Sequence, residues 1–262
     1  MVKSVKAAAF MQAFRTGRTC PCLMRCEDEQ DQTAEVVVKL RTGSECSSTG
    51  LVCELMAAFL ARDLGLPVPE PYLVEVTSDF HQGIVDPCLA ERFRTSAGWN
   101  FGSRNLAPAF VSWPQLRSIP ATLQQTAAEI FAFDMTIQNP DRRPSKPNLL
   151  RKCDELVIFD HEMAFSFLYA LVPNEYPWDG KGMGFAKDHL FYGGLKGKEL
   201  SWSRMQGALN AIDGNRLNRY VETIPPAWQS ECGDAAVRIR EYVELARRNN
   251  RRLFAEIAEV LK

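Results

Sequence analysis

Apolar and polar positions along the first hundred residues predict strands arranged around one helix. "CLMRCEDEQDQTAEVVVKL" is two apolar strands joined by a charged turn, a hairpin pattern. Its second strand, "EVVVKL", is apolar and β-branched except for Lys39. Next, "GSECSSTGLVCELMAAFLARDLGLPVPEP" predicts a helix: Ser47, Ser48 or Thr49 can cap it, and Gly65 followed by Pro67 and Pro69 stops it. Leu51, Leu55 and Phe59, with Val52, Met56 and Leu60, form an apolar stripe at helical spacing. "YLVEV" returns as a strand, and residues 78–108 then turn irregular, rich in Gly, Pro, Asn and Ser.

That change of character predicts a boundary near residues 100–110, giving a small β-rich lobe over 1–104 and a larger, mostly helical lobe over 105–262. Beyond it, "ATLQQTAAEIFAFDMTIQN" is a helix and "NLLRKCDELVIFD" a second hairpin with "KCDE" as its turn. Residues 171–198 carry the Gly, Pro and aromatic residues of loops near a cleft. Helices are predicted over 201–212 and 214–223, and as one long helix from Asp234 onward. The fold class is α+β in two lobes.

Composition narrows the partners. The 262 residues are 46% hydrophobic and 24% charged, enough to bury a core without disulfide or metal support. A net charge of −1 gives no global attraction to nucleic acid or membrane. The basic cluster Ala246–Arg252 lacks aromatic platforms, so it reads as a solvated face. Gln12 and Arg15 interrupt the apolar start too early for an export signal, and no apolar run approaches the roughly 20 residues that span a bilayer. A soluble, cytoplasmic protein is expected. Of eight cysteines, Cys20, Cys22 and Cys26 cluster, but their spacing lacks a Cys-x-x-Cys knuckle, so strand thiols are expected over a zinc site.

The order of the polar residues carries more than any one of them. Lys39 alone reads as an edge-strand lysine reaching for water, and Glu54 as a partner of the helix dipole. Asp141 alone is a turn residue and Asp160 a strand-end cap. Together they run strand Lys, helix Glu, lobe crossover, helix, Asp loop, hairpin, Asp. Phosphoryl transfer needs that series: a Lys for the phosphates steadied by a Glu, a loop Asp for the attacking hydroxyl, and side-chain oxygens for Mg²⁺. The candidates are Lys39, Glu54, Asp141, Asn148 and Asp160.

"LGLPVPEP", "NFGSRNL", "NPDRRPSKPNLL" and "FDHEMAF" together resemble the HipA-like kinases, over about residues 15–200. The resemblance implies a two-lobed kinase-like fold with ATP and Mg²⁺ in the cleft, in a compact, core-only member. It implies that Lys39 contacts phosphates and pairs with Glu54, that Asp141 is the catalytic base and that Asp160 is a metal ligand. Residues around Trp99, Phe101, Gly102 and Ser103 would form or border the hinge against adenine, and residues 15–21 would cover the phosphates.

One position departs from the family pattern. Five residues after Asp141 the pattern has a metal-binding Asn, whereas this chain has Lys146, and its Asn148 comes seven residues after. An ammonium has no acceptor and cannot ligate Mg²⁺. Either Asn148 supplies the oxygen, or Lys146 replaces a second metal on the phosphates, or the chain is a pseudokinase that binds a partner with little or no nucleotide. The leading expectation is an ATP-dependent phosphotransferase acting on a hydroxyl, a protein Ser/Thr by family analogy; a small-molecule kinase with an acceptor pocket in 176–194 is a further reading. Arg142 is expected to pair within its loop, and His161 to fix the loop or to pack. Glu162 is expected not to share the metal, and His189 to be structural. Ser44, Ser47, Ser48 and Thr49 are candidate autophosphorylation sites.

Overall fold

The computed structural model describes residues 2–14, 19–43, 46–114, 118–174, 176 and 178–262. Two strands, β1 (Lys3–Ala13) and β2 (Cys22–Glu27), lead into β3 (Thr33–Lys39), the helix α1 (Ser48–Asp63), β4 (Pro71–Val76), α2 (Pro87–Thr95) and β5 (Gly98–Arg104). The five strands close into a barrel in the order β1-β2-β3-β5-β4, antiparallel except where β1 meets β4. Closure leaves no free edge. Val5, Met24, Val36, Val38 and Val74 fill the interior, together with Cys22 and Cys26. Burial pushes those two thiols up to about 11 and about 12, so they are neutral packing groups.

β5 and α2 both lie inside the stretch read as irregular. "GWNFGSR" has weak strand propensity, but its Gly102 answers a barrel constraint. A Cβ there would come within 2.5 Å of Val36 and 2.6 Å of Val74 across the interior. α2 is short and capped by Asp86, whose side chain accepts from Leu89 N, with Pro87 opening the helix.

The remainder begins with β6 (Val111–Ser112), α3 (Gln124–Thr136), β7 (Leu149–Lys152) and β8 (Glu155–Ile158). β6, β7 and β8 form a small sheet whose β7–β8 hairpin matches the predicted one. A short α4 (Tyr192–Leu195) precedes α5 (Ser203–Ala211), α6 (Gly214–Glu222), α7 (Pro226–Cys232), α8 (Ala235–Arg248) and α9 (Asn250–Val260). The single long C-terminal helix expected from the pattern is broken at Asn249, whose φ of −114° and ψ of 24° leave the helical region. The turn buries Asn250 against Asn210, while Arg247 and Arg248 pair with Glu244. No described helix is long and apolar enough to cross a membrane.

Apolar burial divides into two clusters. One is the barrel interior with Phe93; the other joins α1, α3, the small sheet and the C-terminal helices. A cleft of about 530 Å³ opens between barrel and helices.

Candidate functional site

β3 is hydrogen-bonded on both sides, to β2 and β5, so Lys39 lies on an interior strand and the edge-lysine reading gives way. Its buried ammonium donates to Glu54 Oε1, to Asp160 Oδ1 at 2.5 Å and to Glu162 Oε2 at 3.0 Å. Glu54 is in the second turn of α1, too far from the N-terminus for a dipole role, and is buried facing the lysine. Burial opposes the charge on Lys39, but the three carboxylates hold its pKa well above the ordinary lysine value. Burial pushes Glu54 up to about 7, because its one cation is shared with two other acids. The two shifts favour opposite forms of the pair; with three carboxylates around Nζ, the ammonium is the secure member.

The loop after α3 is built on a fully buried ion pair. Asp134, 0% exposed inside an apolar helix, accepts from Arg142 Nε at 2.6 Å, Asn139 Nδ2 at 2.7 Å and His189 Nε2 at 3.0 Å. Burial alone would raise its carboxyl; Arg142 and His189 hold it well below the usual carboxylate range. Arg142 also donates to the carbonyl of Asn148 and lies 3.0 Å from His161 Nε2, so it pairs inside the loop as expected. Since guanidinium only donates, His161 Nε2 is an acceptor and the ring is neutral. His189 Nδ1 accepts from Phe191 N at 3.1 Å, which makes that ring neutral as well. Both are buried; burial pushes His161 down to about 3 and lowers His189.

On this base the loop sets the buried Asp141 directly behind Lys146 and Asn148, which line the cleft. Its carboxylate accepts from Lys146 Nζ at 2.6 Å, Arg143 at 3.2 Å and Asn148 Nδ2 at 3.3 Å. Asn148 immediately precedes β7, and Asp160 follows β8 by two residues. The hairpin therefore sets them opposite one another at its open end, with Phe159 N donating to Asn148 O at 3.2 Å. Both have left-handed backbones, φ 45° and 60°, a conformation Asn and Asp tolerate better than other side chains. Burial opposes the Asp160 charge, but Lys39 and Lys146 hold its carboxyl well below the usual range.

Glu162 was not expected here. Asp160 and Glu162 are two residues apart and emerge on one side while His161 turns inward, so the spacing carried a signal that was read the other way. Oxygens of Glu54, Asp160 and Glu162 all lie within 4.8 Å of one another. Hard oxygen donors of this kind suit Mg²⁺. Two ammonium groups, Lys39 and Lys146, and the Arg143 guanidinium face the four carboxylates of Glu54, Asp141, Asp160 and Glu162, so with all four ionised one acidic charge is left in excess for a bound cation to offset.

The rest of the cleft is mostly apolar, with Val37, Val68, Phe101, Leu106, Phe110 and Leu150 on its walls beside Ser103, Arg104 and Asn105. Of the four residues expected near a hinge, Phe101 and Ser103 line it. Gly102 faces the barrel interior, and the carbonyl of Trp99 accepts from Trp228 Nε1 at 2.9 Å. Sequence reading assigned no role to Asn105, Leu106, Ala107 and Phe110, which also line the cleft. Of the proposed phosphate-covering loop, residues 15–18 lie outside the described residues, as does Ser44; Thr19 and Pro21 border the cleft. Ser47 is occupied in capping α1, and the buried Ser48 hydroxyl donates to Glu231.

A family model described as HipA-like kinase matches residues 8–256. No curated protein is similar enough to count as a match. Among solved structures, the proinflammatory kinase CtkA of Helicobacter pylori is similar at 12% identity, with both chains covered in full and a TM-score of 0.53. Identity that low speaks for the fold alone. A Golgi casein kinase solved with Mn/ADP bound gives 10% identity and a TM-score of 0.45, over 100% of this chain and 73% of that one.

Proposed function

The chain belongs to the HipA-like kinase family, and on that premise we propose an ATP-dependent phosphotransferase that moves the γ-phosphoryl group to a hydroxyl, with a protein Ser or Thr as the acceptor class. The observation that carries the proposal is convergence. Lys39 from β3, Glu54 from α1 and Asp160 from the hairpin end meet at one cleft with largely apolar walls, and Asp141 from the loop is joined to them through Lys146. The walls suit a flat base and the charged cluster suits phosphates.

Lys39 would bind phosphate oxygens, with Glu54 fixing the ammonium. Asp141 would orient the acceptor hydroxyl and take its proton as the new O–P bond forms and the bond to ADP breaks. Asn139, whose side-chain oxygen receives Asp141 N at 3.2 Å, steadies the loop at that point. Asp160, Asn148 and Glu162 would hold Mg²⁺, which supplies charge neutralisation at the phosphates. Positioning and electrostatics account for the rate, since little covalent chemistry falls to the protein.

The test is calorimetric titration of ATP with Mg²⁺, with Mn²⁺ and with EDTA, on the native protein and on Asp160→Ala, followed by a radiolabelled transfer assay on Asp141→Ala. Metal-enhanced binding that disappears in Asp160→Ala, and transfer that disappears in Asp141→Ala, are expected. A folded native protein that binds no nucleotide under any of these conditions would favour the partner-binding pseudokinase.

A further inference from the structure

Lys146 is fixed by more than its ion pairs. Arg143 and Lys146 exchange both backbone hydrogen bonds at 3.0 Å, closing a tight turn on Pro144 and Ser145. Pro147 restricts the backbone directly after it. The turn sends the side chain to the cleft, where Nζ donates to Asp141 Oδ2 at 2.6 Å and lies 3.1 Å from Asp160 Oδ2. An ammonium has three donors. Two are committed to these carboxylates and one is left for the cleft, which Lys146 lines.

Kinases that use two divalent ions hold them with a strand-end Asp and a loop Asn, where the ions bridge and neutralise the phosphates. In this chain a fixed positive charge already bridges the loop Asp and the strand-end Asp. A divalent ion brought to the same Asp160 oxygen would meet that charge at close range and be repelled.

We propose that Lys146 is a resident cation that replaces one of the two divalent ions. Its third N–H binds a terminal phosphate oxygen of the nucleotide, and the site takes a single divalent cation, held by Asp160, Asn148 and Glu162. The inference deepens the kinase reading and rests on it. Two features separate it from a displaced, inert lysine: the backbone bridge that fixes the turn, and the spare donor at the cleft.

Mn²⁺ titration followed by electron paramagnetic resonance, at saturating non-hydrolysable ATP analogue, tests it directly. One Mn²⁺ per bound nucleotide is expected for the native protein and for Lys146→Arg, and two for Lys146→Asn. Calorimetry in EDTA gives a readout independent of metal. There Lys146→Met should weaken nucleotide binding roughly 10- to 100-fold, the scale of one charge-assisted hydrogen bond. Two ions on the native protein, one on Lys146→Asn, or a metal-free loss under about threefold each overturn the inference and leave the kinase reading standing. Absence of nucleotide binding by the native protein overturns both.

Discussion

Asp134 touches no cleft residue that would do chemistry, yet it sets the loop that does. Through Arg142 it reaches the carbonyl of Asn148 and the ring of His161, and so fixes the separation of Asp141, Asn148 and Asp160. Asp134→Ala leaves a guanidinium buried without its charge partner, which costs about 3–5 kcal/mol. Urea unfolding checks this, and a loss below about 1 kcal/mol would contradict the account. The two neutral histidines add a pH dependence. Both have folded pKa values below the unfolded 6.5, so the unfolded chain takes up their protons first. Their contribution is complete above pH 6.5 and declines below it, for His161 at about 1.4 kcal/mol per pH unit down to about pH 3. Denaturant midpoints measured from pH 7.5 to 5 should fall accordingly, and His161→Gln should flatten the slope. Lys39, Glu54, Asp141 and Asp160 were legible because each sits beside a local element signature and their order is informative. Asp134 was not, because only the folded loop brings Arg142, Asn139 and His189 to it.

At the scale of elements, α1 holds Glu54 against Lys39, and the C-terminal helices hold α1. Asp63 at its end accepts from Arg216 Nε at 2.5 Å and Nη2 at 2.6 Å, and from the Tyr220 hydroxyl, all from α6. Phe59 meets Tyr220 at 5.2 Å between ring centroids, and Trp228 of α7 ties to the Trp99 carbonyl of β5. Arg216→Ala should therefore cost about 1–2 kcal/mol, a bidentate pair discounted for its partial exposure. It should also weaken nucleotide binding through the Lys39–Glu54 pair, although Arg216 is remote from the cleft. If stability falls while nucleotide affinity is unchanged, α1 is not held in register this way. The helix itself was legible from its cap, stripe and glycine stop; what grips it was not, since the contacts span some 150 residues of sequence, from Asp63 to Arg216. β5 escaped for a different reason. Its glycine and asparagine look like loop chemistry until a closed barrel demands a residue without a side chain at Gly102.

Across the whole molecule, the two apolar clusters meet at a cleft whose charged residues come from both sides. Lys39 belongs to the barrel, Lys146 and Asp160 to the helical part, and a bound nucleotide would bridge them. A ligand that binds only the assembled cleft stabilises the fold by mass action, about 2.7 kcal/mol at a free concentration one hundred times Kd. For a chain of this size that corresponds to a rise in Tm of roughly 5–10 °C. Metal-nucleotide should produce this shift in the native protein, and EDTA should reduce it to the smaller share that Lys39 and Lys146 supply alone. In Asp160→Ala the metal-dependent part of the shift should vanish, because the carboxylate that would hold the cation is gone, leaving only the share that the two lysines supply. Hydrogen exchange locates the effect: added protection should reach β3 on the barrel side and the β7–β8 hairpin on the other in the same experiment. Protection confined to one side would mean that the ligand sits on that part alone, and the bridging role of the Lys39–Asp160 pair would have to be abandoned.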